Sequence, residues 1–381
     1  MHRDRSDDVE EVPEPAGFPD GFATGPGARD ALVVLASLRG ITPRTLHRLA
    51  WAEGSATTCL DAIRGARAGS ENDQDFARHA DPSVILERVE ELGARFVVPG
   101  EAEYVPALLD LQRDPPLGLF VRGRSLLELT HAVSVVGARN CSSLGNEMAM
   151  ALGAGLGSVG ICVVSGAARG IDAAAHRGAL AMGGPSIAVL GSGLDVPYPK
   201  GSAQLVERIA AAGAVVTEYA PGVEAEPFRF PARNRLVAAL GTALVVVEGA
   251  DGSGSMISVD HAIDLGRDVY AVPGPVTSPL AEVPLALIRE GATMIRGAAD
   301  LLSDLGFGGR VPDATPQGLD ERERTAWEAL VEPSPPDVLA GRTDMQTHEM
   351  IAALVTLELR GLVRSVGGRY ERRLLAPTPN R

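Results

Sequence analysis

The chain has 381 residues, 45% of them hydrophobic, enough for two or three domains that each bury a core. No run of about 18 apolar residues exists to cross a bilayer, and residues 1–27 carry acids and prolines where a secretory leader needs an apolar stretch, so a cytoplasmic chain without a membrane partner is expected. Cys59, Cys141 and Cys162 lack paired spacing, which argues against a disulfide framework and against a metal site. The formal charge of −14 opposes a polyanionic partner unless cations are gathered locally. They are unevenly spread: residues 1–28 hold two Arg against seven acids, and residues 360–381 hold six Arg against one Glu. Lysine occurs once, at Lys200.

In chain order, residues 1–28 read as a disordered acidic tail, rich in Pro and Gly. Residues 31–49 show helical spacing broken at Gly40-Ile41-Thr42-Pro43, where Thr42 caps and Pro43 begins a second helix. A polar stretch at 60–81 follows, then a helix from Pro82 to Leu92, so 29–100 is expected to be a small helical domain. From 101 to 310 apolar, β-branched runs at 132–136, 161–164, 186–190, 214–217, 243–247 and 268–272 alternate with helical segments. Strands apolar throughout and separated by helices predict a parallel α/β sheet covered on both faces. Residues 311–319 read as a linker. Helices at 321–330, 336–340 and 346–360 and a Gly-Gly hairpin at 363–370 predict a winged helix over 320–375, with a short tail at 376–381.

Ligands of such sheets bind at the carboxyl ends of the strands, and the charged, glycine-rich clusters follow the strands directly. After the first comes Gly137-Ala138-Arg139, leading into a helix whose N-terminus offers free N–H groups to an anion; an ordinary turn with a solvated Arg is the alternative. After the second comes Ser165-Gly166-Ala167-Ala168-Arg169-Gly170-Ile171-Asp172, with His176 one turn on. Asp172 and His176 fit an acid/base pair or, with no nucleophile beside them, a turn-capping carboxylate bonded to a structural His. The third strand leads through Gly191-Ser192-Gly193 to Tyr198-Pro199-Lys200; the GxG lacks the third glycine of a dinucleotide site, so no cofactor is expected. Phe228-Arg229-Phe230-Pro231-Ala232-Arg233-Asn234-Arg235 interleaves rings and guanidinium groups as single-strand recognition does, while a structural role for Phe230, Asn234 and Arg235 stays open. Ser253-Gly254-Ser255 opens another helix. No phosphate loop of the ATPase type occurs, which favours binding over catalysis, with no catalytic residue assigned.

In order, Val-Gly-Ala-Arg (136–139), Ser-Gly-x-Ala-Arg-Gly-Ile-Asp-x-x-Ala-His (165–176), Gly-x-Gly-Leu-Asp-x-x-Tyr-Pro (191–199), Phe-Pro-x-Arg-Asn-Arg (230–235), Ser-Gly-Ser (253–255) and Pro-Gly (273–274) resemble the DNA-processing protein A family, DprA or Smf. The resemblance implies an extended Rossmann-like core that binds single-stranded DNA, forms homodimers and loads RecA recombinase during natural transformation. It places the DNA contacts on Gly137, Ala138, Arg139, Ser165, Gly166, Arg169, Lys200, Phe230, Arg233, Asn234, Arg235, Ser253, Gly254 and Ser255. The chain departs from the family at Ser202 and at Glu282-Val283-Pro284. Two alternatives remain: a nucleotide phosphoribohydrolase-like enzyme with Asp172 or Glu248 as acid/base, and a winged helix that reads duplex DNA through Arg360, Arg364 and Arg369.

Overall fold

A computed structural model describes residues 16–112, 114–129, 131–307 and 318–372. The chain forms two compact units.

The first comprises the described residues through Arg122, together with Gly191–Val196 and Val216–Arg229. It holds helices α1 (Ala28–Ala36), α2 (Pro43–Glu53), α3 (Ala56–Arg64), α4 (Glu71–His79) and α5 (Pro82–Glu91), then strands β1 (Ala94–Val97) and β2 (Leu119–Gly123), which pair antiparallel with Val97 opposite Leu119. Thr42 caps α2 by accepting from the Thr45 N–H at 3.2 Å, as its sequence predicts. The polar stretch at 60–81 is largely helical, contrary to expectation: Ser55 and Ser70 each close a capping box with the residue three positions on, and Leu60 and Ile63 bury the inner face of α3. Of the expected tail over 1–28, the described part is built into this unit. Phe18 stacks on Phe22 at 4.7 Å, and the Gly17 carbonyl accepts from Trp51 Nε1 at 3.0 Å; residues 1–15 lie outside the described residues.

The larger unit contains the parallel sheet. Strands β3 (Ala132–Val136), β4 (Cys162–Ser165), β5 (Ser186–Val189), β7 (Ala243–Val246), β8 (Asp268–Ala271) and β9 (Thr293–Met294) run in the order β5-β4-β3-β7-β8-β9, with Val135 level with Val245. Strand β6 (Ala214–Thr217) falls at the division between the units. The central strands are buried on both faces, which is why their sequences are apolar without alternation. Their limits agree with the sequence expectation to within one residue.

Helices α6 (Ser143–Ser158), α7 (Ile171–Ala181), α8 (Ala203–Ala212), α9 (Arg229–Leu240), α10 (Ser255–Asp264), α11 (Glu282–Arg289) and α12 (Ala298–Asp304) follow the strands. One core joins Val133, Val135, Val163 and Val245 to Leu152 and Leu156 of α6, Ile171 and Ala175 of α7 and Leu301 of α12. Each such side chain contributes about 1.5–3 kcal/mol by burial. Helices α6 and α7 approach to backbone contact: a Cβ at Gly153 would run into the Ala175 carbonyl.

The chain reverses across the sheet at β3: strands β4 and β5 build outward on one side and β7 to β9 on the other.

Beyond 317, helices α13 (Glu321–Ala329), α14 (Pro336–Ala340) and α15 (Thr347–Leu359) precede the hairpin of β10 (Val363–Val366) and β11 (Arg369–Arg372). Gly367 and Gly368 take φ of 57° and 77°, the left-handed pair a two-residue hairpin requires. Trp327, Met350, Leu354, Leu357 and Leu362 form a core that shares no residue with that of the sheet. The Rossmann-like sheet, the helical N-terminal region and the C-terminal winged helix are thus the fold class the sequence predicts. Most of the predicted linker and the C-terminal tail lie outside the described residues.

Candidate functional site

The loop after β3 is fastened on both sides. The Ala138 N–H donates to the Glu248 carbonyl at the end of β7 (2.8 Å), and the Ala138 carbonyl accepts from the Ile171 N–H at the start of α7 (3.2 Å). Between these ties Arg139 projects, exposed, with its guanidinium 5.0 Å from the centre of the Phe230 ring on α9. Tyr198, which precedes a cis Pro199, contacts the same Phe230 ring, tilted against it with 5.0 Å between centroids. Arg139, Phe230 and Tyr198 thus form a wall in which an aromatic face supports a cation.

The wall borders an open cavity of about 280 Å³, also lined by Gly166, Arg169 and Arg233. Arg169 is exposed on the loop after β4. Asp172 shapes that loop, accepting from the Gly166 N–H at 3.1 Å and the Ala168 N–H at 3.4 Å, and Ala167 between them takes a φ of +53°, left-handed for a residue with a Cβ. Lys200 is exposed between two residues of the lining, Pro199 and Gly201. Arg139, Arg169 and Lys200 enter no ion pair among the described residues, so three cations face solvent at one sheet edge.

Other predicted residues serve the framework. Arg233 and Arg235 are 3% and 1% exposed: Arg233 donates to the Val189 carbonyl and, through Nε, to Asn234 Oδ1 at 3.1 Å, while Arg235 donates to the Ala232 carbonyl at 3.0 Å. A surface position for Arg233 and Arg235, extending a basic cleft, is therefore corrected, because isolated buried cations cost several kcal/mol unless they are bonded as these are. Asn234 donates from Nδ2 to the Gly254 carbonyl at 3.1 Å, tying α9 to the loop where Ser253 and Ser255 share a 2.6 Å hydroxyl bond. Ser165 is buried and donates to the Val135 carbonyl at 2.6 Å. Gly137 and Ala138 supply the backbone of the Arg139 turn.

Both carboxylates of the enzyme alternative are engaged by backbone. Glu248 accepts from the Ser142 N–H (2.9 Å) and hydroxyl (2.5 Å) at the N-terminus of α6. The helix end read as open to an anion is thus filled by the protein's own carboxylate. Burial pushes the Asp172 carboxyl up, while the Arg233 charge and its N–H donors pull it down. His176 pairs with Ser186 rather than Asp172: Ser186 Oγ gives its proton to the Val163 carbonyl (2.8 Å), so it accepts from His176 Nδ1 (2.7 Å), and Nε2 is left as a buried lone pair. Burial, with the Arg233 and Arg177 charges, holds this imidazole at a pKa of about 3.

Among the described residues no cluster could hold a metal ion, and no helix is long and apolar enough to cross a membrane.

A parallel sheet gathering free cations, aromatic rings and close-approach loops at its carboxyl edge, followed by a winged helix, defines a Rossmann-like protein with an anion-facing edge. Residues 95–306 match the family described as DNA recombination-mediator protein A and residues 310–369 the DprA winged helix domain; the chain belongs to the DNA-processing protein A family. Protein Smf of Escherichia coli is 35% identical over 287 residues, 72% of this chain and 77% of that one. DNA processing protein DprA of Streptococcus pneumoniae is 41% identical over 194 residues, 51% of this chain and 68% of the relative. The X-ray structure of DprA from Streptococcus pneumoniae aligns with a TM-score of 0.54 at 32% identity, covering 70% of this chain and 99% of that one. A structure of DNA processing protein A from Helicobacter pylori, described for its single-stranded DNA binding mode, aligns with a TM-score of 0.50 at 25% identity, covering 56% and 96%.

The wall contributed by Tyr198 was not anticipated as part of the site. Its signal was the Tyr-Pro pair at the carboxyl end of the third strand segment, which was read only as a turn preceding Lys200.

Proposed function

We propose that the chain binds single-stranded DNA across the carboxyl edge of the sheet, within residues 101–310, and acts as a non-enzymatic recombination mediator. It holds incoming strands as a homodimer and passes them to RecA recombinase during DNA uptake. The observation that carries this reading is that Arg139 and Arg169, outside any ion pair among the described residues, line a cavity walled by Phe230 and Tyr198, with Lys200 exposed between its lining residues Pro199 and Gly201. The cations neutralise phosphates, and the rings offer a stacking face that any base fits. Membership of the family and the strand-binding Helicobacter relative support it.

The test is an anisotropy titration with single- and double-stranded oligonucleotides of equal length at about 50 and 200 mM salt, the range over which phosphate contacts weaken most visibly. The expected result is a clear single-strand preference, weakened in a folded Arg139→Ala/Lys200→Ala variant. Equal affinity of that variant and the parent for single strands would overturn the site.

A further inference from the structure

Arg233 belongs to the motif that reads as a DNA contact, yet its surroundings give it other work. It reaches the cavity with only 3% of its surface exposed. Its guanidinium donates to the Val189 carbonyl at the end of β5, and it packs on Gly166 so closely that a Cβ there would collide with it. Through its Nε bond to Asn234, and from Asn234 to the Gly254 carbonyl, it is also linked to the loop after β7. One planar cation therefore touches the loop after β4 and the end of β5 directly and that after β7 through one side chain, a geometry the arginine fork allows and an ammonium does not.

The loop after β4 needs such support. Ala167 sits in the left-handed region at φ +53°, a conformation that persists only where its surroundings over-determine it. On one side Asp172 holds the Gly166 and Ala168 N–H groups; on the other Arg233 fills the space against Gly166. Arg169 is the next residue along. Burial pushes the Asp172 carboxyl up, and the Arg233 charge acts against that push on the group that those two N–H groups address.

We infer that Arg233 is a positioning residue, a buried cation that fixes the 166–170 loop and so aims Arg169 at the DNA backbone without contacting phosphate itself. This rests on the single-strand reading above, and a double-mutant cycle with Arg169 separates the two. A direct phosphate contact contributes about 0.7 to the slope of log affinity against log salt for single strands whether or not Arg169 is present, and a residue that acts by aiming Arg169 has no effect once Arg169 is gone.

Arg233→Gln is expected to weaken single-strand binding about tenfold at fixed salt, with the Gly166 and Ala168 amides exchanging faster, and Arg169→Ala/Arg233→Gln is expected to match Arg169→Ala in both affinity and slope. Arg139→Ala in the same series is expected to lower the slope by about 0.7. A double variant whose slope falls about 0.7 below that of Arg169→Ala, or an unchanged affinity in Arg233→Gln, overturns the inference. An Arg139→Ala variant indistinguishable from the parent overturns the underlying site instead. Should Arg233→Gln fail to fold, Asp172→Asn, which leaves the cation in place but replaces the carboxyl acceptor of the Gly166 and Ala168 N–H groups by an amide, is measured in its stead. Lower affinity that disappears in the Arg169→Ala background supports the inference, and any other result removes it.

Discussion

At the carboxyl edge of the sheet, Arg139, Arg169 and Lys200 stand exposed and outside any ion pair among the described residues, whereas most arginines of the winged helix meet carboxylates. There Arg322 meets Glu349 (3.0 Å), Arg342 meets Glu332 (2.6 Å), Arg360 meets Glu323 (2.6 Å), and Arg364 meets both Glu371 and Glu147. Arg369 donates to the Pro333 carbonyl, and Arg372 lies over Trp327. Residues 318–372 hold ten acids against seven Arg, and α15, the third helix of the motif, carries neither Lys nor Arg. It exposes Ile351, Val355 and Leu359 instead, on one face by their spacing of four. A cation already neutralised by a carboxylate has little to offer a phosphate, so the number of arginines in a region is a poor guide to its affinity for DNA. The duplex-reading alternative relied on Arg360, Arg364 and Arg369: the first two meet carboxylates, while Arg369 has a 3.4 Å bond to the Pro333 carbonyl and keeps its charge exposed.

The largest effect expected of this contrast is on binding. Removing two edge cations, Arg139→Ala with Lys200→Ala, should cost roughly a hundredfold in single-strand affinity and about 1.4 in salt slope. Removing two winged-helix cations, Arg364→Ala with Arg369→Ala, should change affinity by less than about twofold. Parallel titrations of the two variants at several salt concentrations decide it; comparable losses from both would break the contrast.

A second difference is buried titration. His176 lies beneath the edge with its pKa held near 3, against an ordinary value of 6.5. Between those values the unfolded chain takes up a proton that the folded chain does not, so stability is complete above pH 6.5 and falls as pH drops through the window. At pH 5 the loss is about 2 kcal/mol, from about 1.4 kcal/mol per pH unit. In a Trp51→Phe background, Trp327 fluorescence follows the winged helix while circular dichroism follows the chain as a whole. Denaturant titrations at pH 7 and 5 should show the loss in the sheet domain, with a smaller one at Trp327, because His176 lies in the sheet domain and Trp327 in the separate core of the winged helix. His176→Asn, which retains a donor for Ser186, should flatten the dependence. An undiminished acid loss in that variant would assign it to another group.

These contrasts were only partly legible in the sequence. The strands could be read because burial on both faces leaves unbroken apolar runs, and the exposure of Arg139 because it falls on a loop directly after such a run, whereas Lys200 comes later, past Tyr198-Pro199. The buried Arg233 was misread because charge alone says nothing of which side of a helix a residue occupies. Once α9 is recognised, Arg233 lies three and four positions before Leu236 and Val237, both buried, which places it on the inner face. Helices α3 and α4 were missed because the polar residues between them outweighed two serine caps. The Arg364–Glu147 pair joins positions 217 residues apart, and local sequence carries no trace of it.

That pair gives the smallest effect and the finest test. Arg364 Nη1 lies 2.8 Å from Glu147 Oε1 in the first turns of α6, with the side chains 31% and 13% exposed. Around it is a cavity of about 490 Å³ lined by Cys141, Ser142, Ser143 and Asn146. The two cores share no residue, and the winged helix meets α6 at this point through an ion pair. A partly exposed ion pair is worth about 0–1 kcal/mol, and Glu147→Gln should therefore leave the melting temperature within about 2 °C while freeing the hairpin from α6. Amide exchange over residues 143–147 and between β10 and α6 reporters should rise in Glu147→Gln, rise with salt in the parent, and return in the charge-swapped Glu147→Arg/Arg364→Glu variant. If exchange there is the same in all three, the docking does not depend on Arg364, and that arginine would have to be returned to the pool of cations available to DNA.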